Sequence, residues 1–122
     1  VKRLLHGKNP RMRNRWNIPL LLEREITERD TACVYCGVSF SLLDAPRRSR
    51  KSWEHIVNDA RIITLSNIAL CCIGCNASKG AKNLEDWLLT PYCLQRGITA
   101  ATVSLVVKQA IVKRPSLADL SA

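Results

Sequence analysis

The chain has 122 residues, which is the length of one domain, and its 47% hydrophobic and 24% charged residues are typical of a globular rather than a disordered protein. Residues 1–6 contain no apolar signal-peptide core, and no apolar run approaches the roughly 18 residues of a transmembrane helix, so membrane and secreted classes are not expected. Nineteen Lys and Arg against ten Asp and Glu give a net charge of +9, which favours polyanionic partners.

The positive charge is concentrated in two clusters. Residues 2–15 contain six bases and no acid, and residues 47–51 contain four bases. A solvated face that keeps the protein soluble is the simplest explanation of either cluster, whereas phosphate contact is the better explanation where a nucleic-acid site lies nearby. The candidate nucleic-acid-binding bases of the two clusters are Arg11, Arg13, Arg15, Arg47, Arg48, Arg50 and Lys51.

A basic arm over 1–16 precedes the first predicted helix, which spans 17–30. Asn17 is the candidate N-cap of this helix and Pro19 suits its first turn. Two apolar residues four positions apart give the helix one buried face. The stretch 41–52, which contains a proline and the second basic cluster, is predicted to be a loop.

Two short strands and two helices are predicted in the rest of the chain. Residues 52–57 contain Trp53, Ile56 and Val57 and are predicted to be a short strand by β-propensity, and residues 68–71 fit a second strand. Residues 76–89 form a predicted helix with an apolar stripe at i, i+3 and i+4, which Pro91 ends. The stretch 98–113 contains several β-branched residues, but its length and the proline after it favour a helix.

Four of the six cysteines form two CxxC pairs, Cys33 with Cys36 and Cys72 with Cys75. Two such turns brought together supply the four thiolates that a tetrahedral zinc site needs. Two disulfides are the competing interpretation, but no secretory signal supports them, and a redox motif would need only one pair. We therefore predict a structural zinc ion and a reducing, cytoplasmic location. The other cysteines are predicted to be small buried hydrophobic residues: Cys71 and Cys93.

Five polar residues near the second pair are candidates for chemistry: Glu54, His55, Asn67, Asn76 and Lys79. Taken singly, each is more simply a surface, turn or capping residue. Together they fit phosphodiester hydrolysis, in which His55 deprotonates water while Glu54 and Asn76 offer hard oxygens to Mg²⁺. Asn67 is placed to hold the imidazole through its side chain or its carbonyl, and Lys79 to reach the same phosphate.

The chain resembles the zinc-knuckle branch of the HNH endonucleases, which have the ββα-metal or His-Me finger fold. The resemblance covers residues 33–89 and is carried by these segments in order: Cys33-x-x-Cys36, Glu54-His55-Ile56-Val57, Asn67-Ile68-Ala69-Leu70-Cys71-Cys72 and Cys75-Asn76-x-x-Lys79-Gly80. It implies an α+β fold in which a small ββα-metal core is stapled by the four-cysteine zinc site. Helices on the N- and C-terminal sides flank this core in a single domain over 1–122.

The resemblance also implies a role for each matching residue. His55 matches the general base, and Asn67 matches the middle Asn that orients it. Glu54 and Asn76 match the ligands of one catalytic divalent metal, Mg²⁺ or Mn²⁺, although the family more often has Asp before the base. The products implied are 5′-phosphate and 3′-hydroxyl ends. The structural zinc ligands that it implies are Cys33, Cys36, Cys72 and Cys75.

Double-stranded DNA is the expected substrate, and the expected roles include restriction, phage and mobile-element nucleases. One such site cuts one strand, so a double-strand break needs a homodimer or two successive nicks. The apolar segment 98–112 is a candidate dimer face, although closing the core is its simpler use. The main alternative is a non-catalytic zinc-binding module that docks on nucleic acid, and a further alternative is a structural partner subunit.

Overall fold

The structure is a computed structural model that describes residues 16–121. It is a small α+β protein with one two-stranded antiparallel sheet and several helices. Most of the predicted basic arm, including Arg11, Arg13 and Arg15, lies outside the described residues. Within the described range, no helix is long and apolar enough to span a membrane.

The elements follow one another with short connections, apart from two longer loops on either side of the first strand. In chain order they are α1 (Leu20–Arg29), a 3₁₀ turn (Arg47–Ser49), β1 (Lys51–His55), β2 (Ile68–Cys72), α2 (Ile73–Lys79), α3 (Leu84–Leu88), α4 (Pro91–Arg96), α5 (Leu105–Val112) and a second 3₁₀ turn (Leu117–Ser121).

The two predicted strands form and pair in an antiparallel register, with Trp53 opposite Leu70 and Glu54 opposite Ala69. Successive side chains of a strand point to opposite faces, so each face packs against a different part of the core. Trp53 and Leu70 pack with Ile26 of α1 on one face. Ala69 belongs to the larger cluster on the other face, which contains the cysteines.

The first predicted helix is confirmed as α1, but its beginning differs from the prediction. Asn17 has a left-handed φ of 59°, and Pro19 occupies the N-cap position. At the other end of the helix, the carboxylate of Asp30 accepts a hydrogen bond from the backbone N–H of Leu70 at 3.0 Å. Arg29 binds the same carboxylate and the backbone carbonyl of Ile68. These contacts attach the end of α1 to β2.

The predicted helix over 76–89 is two helices in the structure. α2 ends at Gly80, whose positive φ of 50° costs glycine little, and Asn83 caps α3 by accepting a hydrogen bond from Asp86 N–H. Pro91 ends the helical stripe as predicted, but it also begins α4, because proline suits the first turn of a helix.

The C-terminal helix is shorter than predicted. Residues 98–104 form a turn in which the hydroxyls of Thr99 and Thr102 bind nearby backbone groups, and α5 begins only at Leu105. The helix buries Val106 and Val107 in the core cluster that contains the cysteines. Closure of the core, the simpler of the two predicted uses of this segment, is therefore observed.

Candidate functional site

The two CxxC pairs lie together, as predicted. The sulfur atoms of Cys33, Cys36, Cys72 and Cys75 all lie within 4.8 Å of one another. Cys36 Sγ and Cys72 Sγ are 3.8 Å apart, which matches the edge of a tetrahedron built from Zn–S distances of about 2.3 Å. The described part of the chain therefore contains a four-cysteine cluster that can hold a metal ion such as zinc.

Local folding forms each half of this cluster. In the first half, Cys36 N–H donates to Cys33 Sγ at 3.4 Å, and Gly37 leaves the turn with a positive φ of 81°. In the second half, Cys72 ends β2 and caps α2, since its Sγ accepts from Cys75 N–H at 3.4 Å. In each turn, one backbone N–H therefore donates a hydrogen bond to a cysteine sulfur, which stabilises the negative charge of a thiolate.

The electrostatics of the cluster also fit a cation. Hydrogen bonds with the neighbouring thiols, Cys33 first, lower the pKa of Cys36. Hydrogen bonds with Cys33 and Cys36 raise the pKa values of Cys72 and Cys75. Four thiols this close cannot all ionise unless positive charge is placed among them. A zinc ion would supply that charge. Tyr92 adds a hydrogen bond from its hydroxyl to Cys75 Sγ at 3.4 Å.

A cleft of about 590 Å³, here named the β1 cleft, follows β1 and brings most of the predicted catalytic residues together. Its wall includes Glu54 and His55 from β1 and Asn76 from α2. The sequence places Glu54 and His55 on opposite faces of the strand, and the structure agrees. Both nevertheless border the cleft. Other residues of the wall are Trp16, Arg47 and Lys51.

Glu54 is buried and already has two partners. Tyr35 donates its hydroxyl to Glu54 Oε2, and the ammonium of Lys79 lies 3.0 Å from the same oxygen. Burial raises the pKa of Glu54, and Lys79 and Tyr35 only partly offset this effect. Among the described residues both contacts are made to Oε2, which leaves Oε1 to bind a cation.

His55 is suited to act as a base because its imidazole is held in the neutral form. Burial, and then the charge of Lys79, lower the pKa of His55 below its ordinary value near 6.5. Its Nε2 is buried and has no hydrogen-bond partner in the structure. Trp16 packs edge-on against the imidazole, with ring centroids 5.1 Å apart. The described structure therefore has Nε2 covered.

Asn67 is fully buried, but it does not hold the imidazole as predicted. Its side-chain oxygen accepts from Val57 N–H at 2.7 Å, and its amide donates to the carbonyls of Val57 and Ile62. Its own carbonyl accepts from Ile56 N–H at 2.9 Å. Asn67 thus fastens the loop between the strands and fixes the chain directly after His55.

Asn76 lies one residue beyond the fourth cysteine, on the first part of α2. Its amide donates to Ser52 Oγ at 3.0 Å and to the carbonyl of Trp53 at 3.1 Å. With the amide nitrogen committed to β1, the side-chain oxygen remains as a ligand atom. A carboxylate and an amide oxygen are the hard ligands that Mg²⁺ and Mn²⁺ prefer, so Glu54 and Asn76 fit such an ion chemically.

Lys79 lies in the interior beside Glu54. Its side chain is only 1% exposed, and its ammonium contacts Glu54 and the carbonyl of His55, 3.4 Å away. The contact with phosphate stays a prediction, and an exposed lysine would suit it better. The second basic cluster is exposed, as expected: Arg47, Arg48, Arg50 and Lys51. Of these, Arg47 and Lys51 border the β1 cleft.

Sequence reasoning missed two aromatic residues of this site, Tyr35 and Trp16. Tyr35 lies inside the first CxxC turn, where a variable residue carries no motif signal, and its role depends on the distant Glu54. Trp16 is the last residue of the predicted basic arm, and in the structure it packs edge-on against the imidazole of His55.

No protein-family model, curated protein or solved structure matches the chain. The evidence for its function therefore comes from the arrangement of its own residues.

Proposed function

We propose that this chain is a metal-dependent endonuclease of the HNH type, with a ββα-metal core formed by β1, β2 and α2, and that it hydrolyses phosphodiester bonds in DNA. The observation that carries the proposal is the meeting of Glu54, His55 and Asn76 in one cleft beside the four-cysteine cluster. The exposed Arg47 and Lys51 at the same cleft supply positive charge for a nucleic-acid backbone.

His55 carries the chemical step in this proposal. The neutral imidazole takes a proton from a water molecule, whose oxygen then attacks the phosphorus. The bond from phosphorus to the 3′ oxygen breaks, and that oxygen takes up a proton to leave 3′-hydroxyl and 5′-phosphate ends. A divalent cation bound by Glu54 and Asn76 would supply charge that neutralises the phosphoryl and leaving oxygens. Zinc at the cysteine cluster would serve the fold and not the reaction.

A docking module without catalysis is the second candidate, and two observations favour it. The carboxylate of Glu54 is already paired with Lys79, and His55 Nε2 is covered. Such a module would use the exposed bases and the aromatic residues of the cleft to bind nucleic acid without cleaving it.

Cleavage of supercoiled plasmid with Mg²⁺ or Mn²⁺ distinguishes the two candidates. The nuclease predicts nicked or linear DNA from the wild type, no product with EDTA, and none from His55→Ala. The matched control is His6→Ala, which changes the other histidine of the chain and is expected to cleave at the wild-type rate. Zinc-loaded protein that binds DNA but yields no product would instead support the docking module.

A further inference from the structure

A buried polar network connects the cysteine cluster with the β1 cleft. Its centre is Glu54 Oε2, which accepts a hydrogen bond from Tyr35 and lies 3.0 Å from Lys79 Nζ. Tyr35 stands between the two cysteines of the first turn. Lys79 stands four residues after Cys75, one helical turn along α2. Each partner of the carboxylate is therefore attached to a different half of the cluster.

The two partners of Glu54 are buried. Tyr35 is 2% exposed and Lys79 is 1% exposed. Tyr35 packs edge-on against Trp87, with ring centroids 4.8 Å apart, so its ring is held independently of its hydroxyl. Lys79 reaches the carbonyl of His55 as well as Glu54, which ties it to the end of β1. In such surroundings a carboxylate keeps one orientation only while both partners hold it.

We propose that Tyr35 and Lys79 are positioning residues that couple the cysteine cluster to the β1 cleft by holding Glu54 at Oε2 and leaving Oε1 for a cation. The use of Glu54 as a cation ligand rests on the proposed function, whereas the mechanical coupling does not. A metal ion in the cluster fixes both turns, the turns fix Tyr35 and Lys79, and these fix the carboxylate. Because coupling between two sites is reciprocal, a change at Glu54 must also change how strongly the cysteine cluster holds a metal ion.

The first test measures the rate at which zinc-loaded protein releases zinc to a chelator, without nucleic acid. Glu54→Gln changes no cysteine, yet we expect it to speed release about tenfold, and Tyr35→Phe to do the same, because each removes a charge-assisted hydrogen bond. The double variant should release zinc no faster than Glu54→Gln alone, since Tyr35→Phe removes a contact that Glu54→Gln already weakens. Tyr35→Phe keeps the ring that packs on Trp87, so the fold is expected to survive.

The second test titrates Mn²⁺ into the zinc-loaded protein and follows the free ion by electron paramagnetic resonance. We expect Tyr35→Phe and Lys79→Met to bind Mn²⁺ about tenfold more weakly than the wild type. The matched control is Tyr92→Phe, because Tyr92 donates to Cys75 Sγ and has no hydrogen bond to Glu54 in the described structure. We expect this control to bind Mn²⁺ as the wild type does.

The two tests keep the coupling and the proposed function apart. Wild-type zinc release in both Glu54→Gln and Tyr35→Phe, or effects that multiply in the double variant, would overturn the coupling. A wild type that binds no Mn²⁺ while the zinc-release effects appear would contradict the proposed metal site and support the coupling. Unchanged Mn²⁺ affinity in Tyr35→Phe, together with wild-type zinc release, would reject Tyr35 as a positioning residue.

Discussion

Replacing Lys79 with methionine should strongly destabilise the protein. Methionine keeps most of the volume of the lysine stem but removes the ammonium, which lies 3.0 Å from Glu54 Oε2. The two side chains are only 1% and 7% exposed, so water cannot take the place of the missing charge. Removing one partner of a buried ion pair typically costs about 3–5 kcal/mol. That is a large part of the roughly 5–15 kcal/mol by which a small domain is stable.

The loss should depend on pH in a defined direction. Burial raises the pKa of Glu54 above its ordinary value even with Lys79 present, and removing Lys79 raises it further. A carboxyl group with a raised folded-state pKa contributes stability that is present at low pH and is lost as the pH rises through that pKa. The difference between Lys79→Met and the wild type should therefore shrink as the pH is lowered through the raised pKa of Glu54 in the variant.

Urea denaturation of the zinc-loaded proteins measures the free energy of unfolding for each variant. The control is Lys79→Met combined with Glu54→Gln, which removes the unpaired charge and should recover most of the loss. A single variant within about 1 kcal/mol of the wild type at neutral pH, the value of an exposed pair, would refute the reasoning. So would a double variant that is no more stable than Lys79→Met alone.

The remaining predictions concern the cluster, the base, the loop and the charged rim. Cys75→Ser should lose bound zinc and much of its folded circular dichroism signal, whereas Cys93→Ser should keep one zinc per chain by metal analysis; equal zinc in both would contradict the four-cysteine site. The pH profile of the cleavage rate should fall on the acid side with a midpoint below 6.5, because burial and then the charge of Lys79 lower the pKa of His55. A midpoint above 6.5 would argue against His55 as the base. Asn67→Ala should lower the free energy of unfolding by about 1–3 kcal/mol, because it leaves backbone groups of Val57 and Ile62 without hydrogen-bond partners. A smaller loss in urea denaturation would argue that Asn67 does not fasten the loop between the strands. Arg47→Ala combined with Lys51→Ala should weaken DNA binding and reduce the slope of log K against log salt by about 1.8, while the control Lys108→Ala with Lys113→Ala should leave the slope unchanged. Equal slopes in the wild type and both double variants would show that Arg47 and Lys51 do not contact the DNA backbone.

Most of the secondary structure could be predicted because it depends on local chemistry. The two strands lie within a few residues of the predicted bounds. Trp53 and Ile68 have the side chains that strands favour, whereas Ile56 and Val57, which also favoured the first strand, lie just beyond its end. The cysteine spacing predicted the cluster because a CxxC turn sets the distance between two thiols. The helix over 76–89 was predicted too long because an apolar stripe can continue across a break. Gly80, the residue at the break, is also tolerated inside helices at a modest cost.

The contacts of the candidate site were less predictable because they depend on pairs of residues that are distant in the chain. Lysine is almost never fully buried unless it is paired, so the sequence favoured an exposed Lys79 in contact with phosphate. Its burial becomes intelligible only with Glu54, 25 residues earlier, on the facing strand. Asn67 was placed correctly between the strands. Its hydrogen bonds go to the loop because a fully buried amide must satisfy both of its polar groups with the nearest backbone.

The glutamate at position 54 links these observations. Glutamate has one methylene more than aspartate, which extends the carboxylate by about one C–C bond, roughly 1.5 Å. In this chain the carboxylate contacts Tyr35 of the first cysteine turn and Lys79 of α2. A side chain shorter by one bond, on the same backbone, would place its oxygens beyond hydrogen-bond distance of partners that now lie about 3 Å away. A glutamate at position 54 is therefore matched by the partners that hold it, and we interpret the three residues as one unit that joins the four-cysteine cluster to the cleft.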